Sequence, residues 1–115
     1  MSRDERVDAV FSALGDPTRR RVVRLLSRGP STATELSNDL PISRQAIAKH
    51  LSALDEAGLV RAERSGREVR YRLTPGPMAD AASWLGDIGA RWDRRLEALH
   101  DYLGPGQRST GKLSK

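Results

Sequence analysis

Ser43-Arg-Gln-Ala-Ile-Ala-Lys-His-Leu-Ser-Ala-Leu-Asp-Glu-Ala-Gly-Leu-Val60 carries the start, the buried stripe, the polar face and the stop of a single helix. Ser43 is a residue type that caps a helix N-terminus, and Gly58 accepts the left-handed conformation that ends one. Between them Ala46, Ile47, Leu51, Leu54 and Ala57 recur at helical spacing and predict the buried side. Arg44, Gln45, Ala48, Lys49 and Ser52 fall on the other side. A helix that hides Leu and Ile while presenting Arg, Gln and Lys in its first two turns suits the major groove of DNA. Arg and Gln can each make paired hydrogen bonds to a base edge there. Taken alone, the segment serves equally well as an ordinary charged surface helix, so its neighbours decide.

Upstream, Val7, Val10, Phe11 and Leu14 lie on one face of a helix predicted over Asp4 to Leu14 and stopped by Gly15. Asp16-Pro17 opens a second helix, because Asp is a good cap and Pro fits the first helical position. It runs to about Ser27 and buries Val22, Val23, Leu25 and Leu26. Arg19, Arg20 and Arg21 stand at its start, where the helix dipole disfavours cations, so they need a compensating partner. A DNA phosphate is one, and the Asp16 carboxylate is a plainer one. Gly29-Pro30 breaks the chain, and Thr32-Ala-Thr-Glu35 matches a capping box opening a short helix that ends near Asp39 or Leu40. Pro41 then forces a turn before Ser43. The order is helix, tight turn, helix, with Leu36 and Leu40 available to pack on Ile47 and Leu51.

Downstream of Gly58 the period changes from helical to alternating. Val60 and Ala62 alternate with Arg61 and Glu63, and Val69, Tyr71 and Leu73 with Arg70 and Arg72. Ser65-Gly66-Arg67-Glu68 supplies the turn, which predicts a two-stranded hairpin directly after the reading helix. Such a wing would lay Arg64, Arg67 and Arg70 beside the helix, against phosphates or a minor groove. Thr74-Pro75-Gly76-Pro77 ends the hairpin, and a last helix is predicted from about Met78 to Leu103. Its stripe is Ala81, Leu85, Ile88, Trp92, Leu96, Leu99 and Leu103. At about 38 Å it outreaches a domain this small. Part of that stripe is therefore expected to meet a second copy, together with Val7, Val10 and Phe11.

The 115 residues suit one domain, residues 1–103, followed by a disordered basic tail over 104–115. Lys and Arg outnumber Asp and Glu by 20 to 15, a net charge of +5 that suits a polyanionic partner. Cysteine is absent, which excludes disulfides and thiolate metal sites. No apolar run approaches the length of a membrane span, and a cytoplasmic location without a membrane partner is expected. Two histidines, no Gly-rich phosphate loop and no clustered acid pair argue against an enzyme.

The chain resembles the ArsR-type winged-helix repressors. The resemblance rests on Ala13-Leu-Gly-Asp-Pro-Thr-Arg-Arg20, on Ser43 through Leu51, on Leu54-Asp-Glu-Ala-Gly-Leu-Val60 and on Arg67-Glu-Val-Arg-Tyr-Arg-Leu73, and covers residues 5 to 103. It implies a mainly α winged helix-turn-helix, about five helices plus a two-stranded wing. It also implies a homodimer that binds double-stranded DNA at an inverted-repeat operator. Metal-sensing members carry a cysteine pair where Thr32 and Thr34 stand here, and threonine supplies no soft thiolate. Of a second family site on the last helix, Asp87 and His100 remain, while Gly89 and Leu103 fill the other ligand positions. Two ligands leave zinc short of its tetrahedral shell, so no metal and no cofactor are expected. The DNA-binding set is Ser43, Arg44, Gln45, Ala48, Lys49, His50, Arg19, Arg20, Arg64, Arg67 and Arg70, with His50 chiefly supporting the helix. Leu85, Ile88, Trp92, Leu96 and Leu99 join Val7, Val10 and Phe11 at the dimer face. The competing reading is a winged-helix protein-interaction module without sequence-specific DNA binding. The sequence names no small-molecule effector.

Overall fold

In the computed structural model, which describes residues 2–103, the order is α1 (Arg3–Leu14), α2 (Pro17–Leu26), β1 (Ser31–Thr32), α3 (Ala33–Asp39), α4 (Arg44–Glu56), β2 (Val60–Ser65), β3 (Glu68–Leu73) and α5 (Pro75–Leu103). Residues 104–115, expected as a tail, lie outside the described residues. The first of two compact units ends at Ala82, and the second begins at Ser83 within α5.

Local signals set most of the helix starts. Ser2 and Glu5 form a capping box on α1, and Thr32 and Glu35 form another on α3. Asp16 accepts the N–H groups of Thr18 at 2.7 Å and Arg19 at 3.0 Å, with Pro17 at the first helical position of α2. α5 starts at Pro75, three residues before the predicted Met78. The prolines and glycine that read as a terminator sit instead in the first helical turn, whose N–H groups have no intrahelical acceptor, so proline costs no hydrogen bond there.

The core of the first unit is one cluster: Val10, Val22, Leu26, Leu36, Ile47, Leu51, Leu54, Leu59 and Val60, closed by Ala81 of α5. Val23 and Leu25, expected inside, are half-buried against it. Val7 and Val10 correct an expectation. Assigned from sequence to a dimer face, they are 3% and 0% exposed within the protomer. Val10 packs in the same cluster as Val22 and Leu26 of α2, so it has no surface left for a second copy.

The sheet is antiparallel with order β1-β3-β2, one strand more than the predicted hairpin. The additional strand has two residues, Ser31 opposite Tyr71 and Thr32 opposite Arg70. The hairpin register pairs Val60 with Leu73 and Ser65 with Glu68, leaving Gly66-Arg67 as a two-residue turn. Gly66 has φ +63° at the first central position, the place where a type II′ turn requires glycine. The layout is a winged helix-turn-helix.

Candidate nucleic-acid interface

The turn between α3 and α4 is short because each of its ends is tied. The N–H of Leu40 donates to Leu36 O at 3.0 Å, and Ile42 N–H reaches back to Leu40 O at 2.8 Å around Pro41, whose fixed φ suits the centre of such a turn. Ser43 Oγ then accepts from Ala46 N–H at 3.1 Å and starts α4. Ile47, Leu51 and Leu54 are fully buried, whereas Arg44, Gln45, Ala48, Lys49 and Ser52 are exposed. Ala46 and Ala57 lie at the edge of the stripe, half-buried.

The exit from α4 is a Schellman closure. Gly58, at φ +77°, donates to Asp55 O at 2.9 Å and Leu59 to Leu54 O at 2.9 Å, while both leucine side chains are buried. Thr74 N–H donates to Leu59 O at 2.8 Å, so the end of β3 returns to the point where the hairpin begins.

Arg19 and Arg20 find a partner that neither sequence alternative named. Arg19 Nε donates to Ala13 O at 2.6 Å and Arg20 Nη1 to Leu14 O at 2.7 Å. Both carbonyls belong to the C-terminal end of α1, where a helix carries partial negative charge. The cations at the start of α2 are therefore compensated by the end of α1, and Asp16 is occupied as the cap. The Arg19 N–H holds the Asp16 carboxyl below its ordinary range, with the Thr18 N–H and the charges of His50 and Arg19 adding to it against desolvation. His50, half-buried on α4, thus lies near enough to the cap of α2 to act on it through charge.

On the wing, Arg61, Arg64 and Arg67 are exposed and make no ion pair among the described residues. Arg72 Nη1 lies 3.1 Å from Glu63 Oε2. Arg70 reaches Glu35 Oε1 at 3.3 Å and Glu68 Oε1 at 3.2 Å. Sequence reasoning grouped Arg70 with the free wing cations and missed Glu35, which lies 35 positions away in the chain. The N–H of Thr32 chiefly, and then the charge of Arg70, outweigh desolvation and hold the Glu35 carboxyl below its ordinary range.

Both lowered carboxyls bear on acid stability with the same sign. A carboxylate with a depressed folded pKa stabilises the fold above its unfolded pKa and loses that contribution as pH falls through the folded value. Thermal midpoints should hold above about pH 5 and decline below about pH 4. Asp16→Asn and Glu35→Gln, which keep a capping oxygen, should make that decline shallower. Unchanged acid limbs in both variants would refute the assignment.

A helix-turn-helix domain family matches residues 14–63. The chain is 38% identical over 96 residues to the HTH-type transcriptional regulator Rv2034 of Mycobacterium tuberculosis, covering 84% of this chain and 87% of that protein. It is 34% identical over 76 residues to the transcriptional repressor SdpR of Bacillus subtilis, covering 66% and 84%. An ArsR-like transcriptional regulator from Rhodococcus sp. RHA1 superposes with a TM-score of 0.70 at 46% identity, covering 83% of this chain and 90% of that one. The chain belongs to the ArsR family of winged helix-turn-helix transcriptional regulators. As an ArsR-family member it is a DNA-binding transcription regulator and not an enzyme. The homodimeric winged helix-turn-helix domain Mb0332 from Mycobacterium bovis also shares the fold, with a TM-score of 0.61 at 26% identity and coverage of 82% and 84%.

The second unit of this ArsR-family chain is the remainder of α5. Leu85, Trp92, Leu96 and Leu99 are each about half exposed, Ile88 is half-buried, and Arg95 lies over the Trp92 ring at 5.9 Å. Among the described residues no three His, Asp or Glu side chains converge as a metal site. No helix among them is long and apolar enough to cross a membrane.

Proposed function

We propose that the chain is a homodimeric repressor that acts in the cytoplasm by seating two α4 helices in successive major grooves of an inverted-repeat operator. Those grooves recur about 34 to 36 Å apart on one face of DNA, which sets the half-site spacing. The observation that carries the reading is the pairing of an exposed Arg44-Gln45 at a capped helix start with a following wing whose Arg64 and Arg67 have no acidic partner among the described residues. Arg44 and Gln45 read bases, with Ala48 and Lys49 beside them. Ser43, Arg64 and Arg67 meet the backbone. Arg19 and Arg20 have guanidinium donors beyond those given to α1, and these serve phosphates. His50 supports the helix against the Asp16 cap.

Two copies pair through the unfilled apolar face of α5, Leu85, Ile88, Trp92, Leu96 and Leu99, joined by Phe11 of α1. Val7 and Val10, being internal, are left out. The homodimeric state named for the Mycobacterium bovis relative and the repressor role named for SdpR support this reading.

Selection of bound sequences from random DNA tests it, and an inverted repeat is the expected product. On that repeat, Gln45→Ala should relax the preference at one position per half-site, by about 1–3 kcal/mol. Arg67→Ala should weaken binding to all sequences alike and lower the salt slope by about one. Failure to enrich any repeat would favour a protein-binding winged helix instead.

A further inference from the structure

Five arginines sit on the wing, but they are not equivalent. The register places Val60, Ala62, Arg64, Val69, Tyr71 and Leu73 on one face of the hairpin, which packs on the core at its root through Val60, Tyr71 and Leu73 and leaves Ala62 and Arg64 exposed towards the tip, and Arg61, Glu63, Glu68, Arg70 and Arg72 on the other face. With Glu35 of α3 reaching across, that second face holds three guanidinium groups and three carboxylates. It is a neutral ladder. Arg70 is its centre, donating from Nη1 to Glu35 Oε1 at 3.3 Å and from Nη2 to Glu68 Oε1 at 3.2 Å.

Glu35 is itself held in place. Its Oε1 accepts from Thr32 N–H at 2.9 Å, and its own N–H donates to Thr32 Oγ1 at 3.1 Å. Thr32 pairs with Arg70 in the β1–β3 register. Arg70 is thus joined to the first turn of α3 through the main chain of Thr32 and again through the side chain of Glu35. Two of its five donors and its positive charge are engaged by carboxylates, which weakens its pull on a phosphate, whereas Arg64 and Arg67 have no acidic partner among the described residues.

We propose that Arg70 and Glu35 are positioning residues: their pair fixes the wing against the start of α3 so that Arg64 and Arg67 meet the DNA backbone, and Arg70 itself makes no DNA contact. This rests on the DNA-binding reading above.

Glu35→Gln gives a test whose sign separates the two roles. Glutamine still serves a capping box, so α3 keeps its start while the charge is lost. Removing a negative charge from a protein that binds a polyanion tightens binding by electrostatics alone, and a released Arg70 acting on phosphate would tighten it further. Loss of the brace does the opposite. The full chain is titrated with a fluorescent random-sequence duplex spanning two successive major grooves, over a range of salt concentrations. Glu35→Gln should bind about two- to fivefold more weakly, and Arg70→Ala about three- to tenfold, each with the salt slope unchanged. Arg67→Ala should lose about one unit of slope. Tighter binding by Glu35→Gln, or a lost unit of slope in Arg70→Ala, makes Arg70 a phosphate contact and overturns the proposal. Absence of binding by the unaltered chain overturns the DNA reading and the brace together. Binding by the unaltered chain with effects of the wrong sign removes the brace alone.

Discussion

Leu96→Glu is expected to yield a folded monomer whose operator affinity has fallen by about 10²–10⁴-fold, the advantage that joining two half-site readers confers. Leu96 is 52% exposed in the protomer, so the substitution removes no core packing there. In a pair of chains the same position lies inside the apolar face, where an unpartnered carboxylate is costly to desolvate. Arg94→Glu, on the opposite side of the helix, changes charge in the same sense and more strongly. It should leave the dimer intact. Analytical ultracentrifugation of both variants, paired with operator titration, checks the result. A Leu96→Glu dimer as tight as the unaltered one, or an unaltered chain that sediments as a monomer, would remove α5 as the pairing surface.

Leu54→Ala is expected to cost about 2–5 kcal/mol, a large share of the roughly 5–15 kcal/mol available to a domain of this size. Leu54 has no exposed surface, lies in the core cluster with Ile47, Leu51 and Leu59, and supplies the carbonyl that closes the exit of α4. Its truncation leaves a cavity at the junction of reading helix and wing. Urea unfolding should show a lower midpoint with the slope preserved. Leu99→Ala, half exposed, should move the midpoint little when measured on dissociated chains. A loss below about 1 kcal/mol at Leu54 would mean that the junction collapses to fill the gap.

What the sequence disclosed follows from range. Caps act over three or four residues, so Ser43, Asp16-Pro17 and the Thr32-Glu35 box were legible, as was the stripe of α4. The Gly66-Arg67 turn was legible for the same reason. β1 was not, because two residues have no period and Thr32 already read as a cap; it is a strand only because β3 pairs with it. The partners of Arg19 and Arg20 were missed because they are main-chain carbonyls of the preceding helix, which no side-chain pattern reveals. Val7 and Val10 read as an apolar stripe, and a stripe alone does not say whether its cover comes from the same chain or another. Arg70 illustrates the same limit with charge: Glu68 stands two residues from it in the sequence, but its other carboxylate, Glu35, is brought close only by folding.

The Schellman closure at Gly58 and Leu59 also limits how the wing can change in length. Val60 enters the sheet immediately after Leu59, and Thr74 N–H returns to the carbonyl of Leu59, so no slack chain separates helix from strand at either end. One residue inserted there would turn every β2 side chain to the other face, sending Arg61 and Glu63 to the core side and the buried Val60 out. Only the tip, at Gly66 and Arg67, can gain residues without that reversal. Lineages that lengthen or shorten this wing should therefore do so at the hairpin's end, keeping its root invariant while varying how far it reaches along DNA.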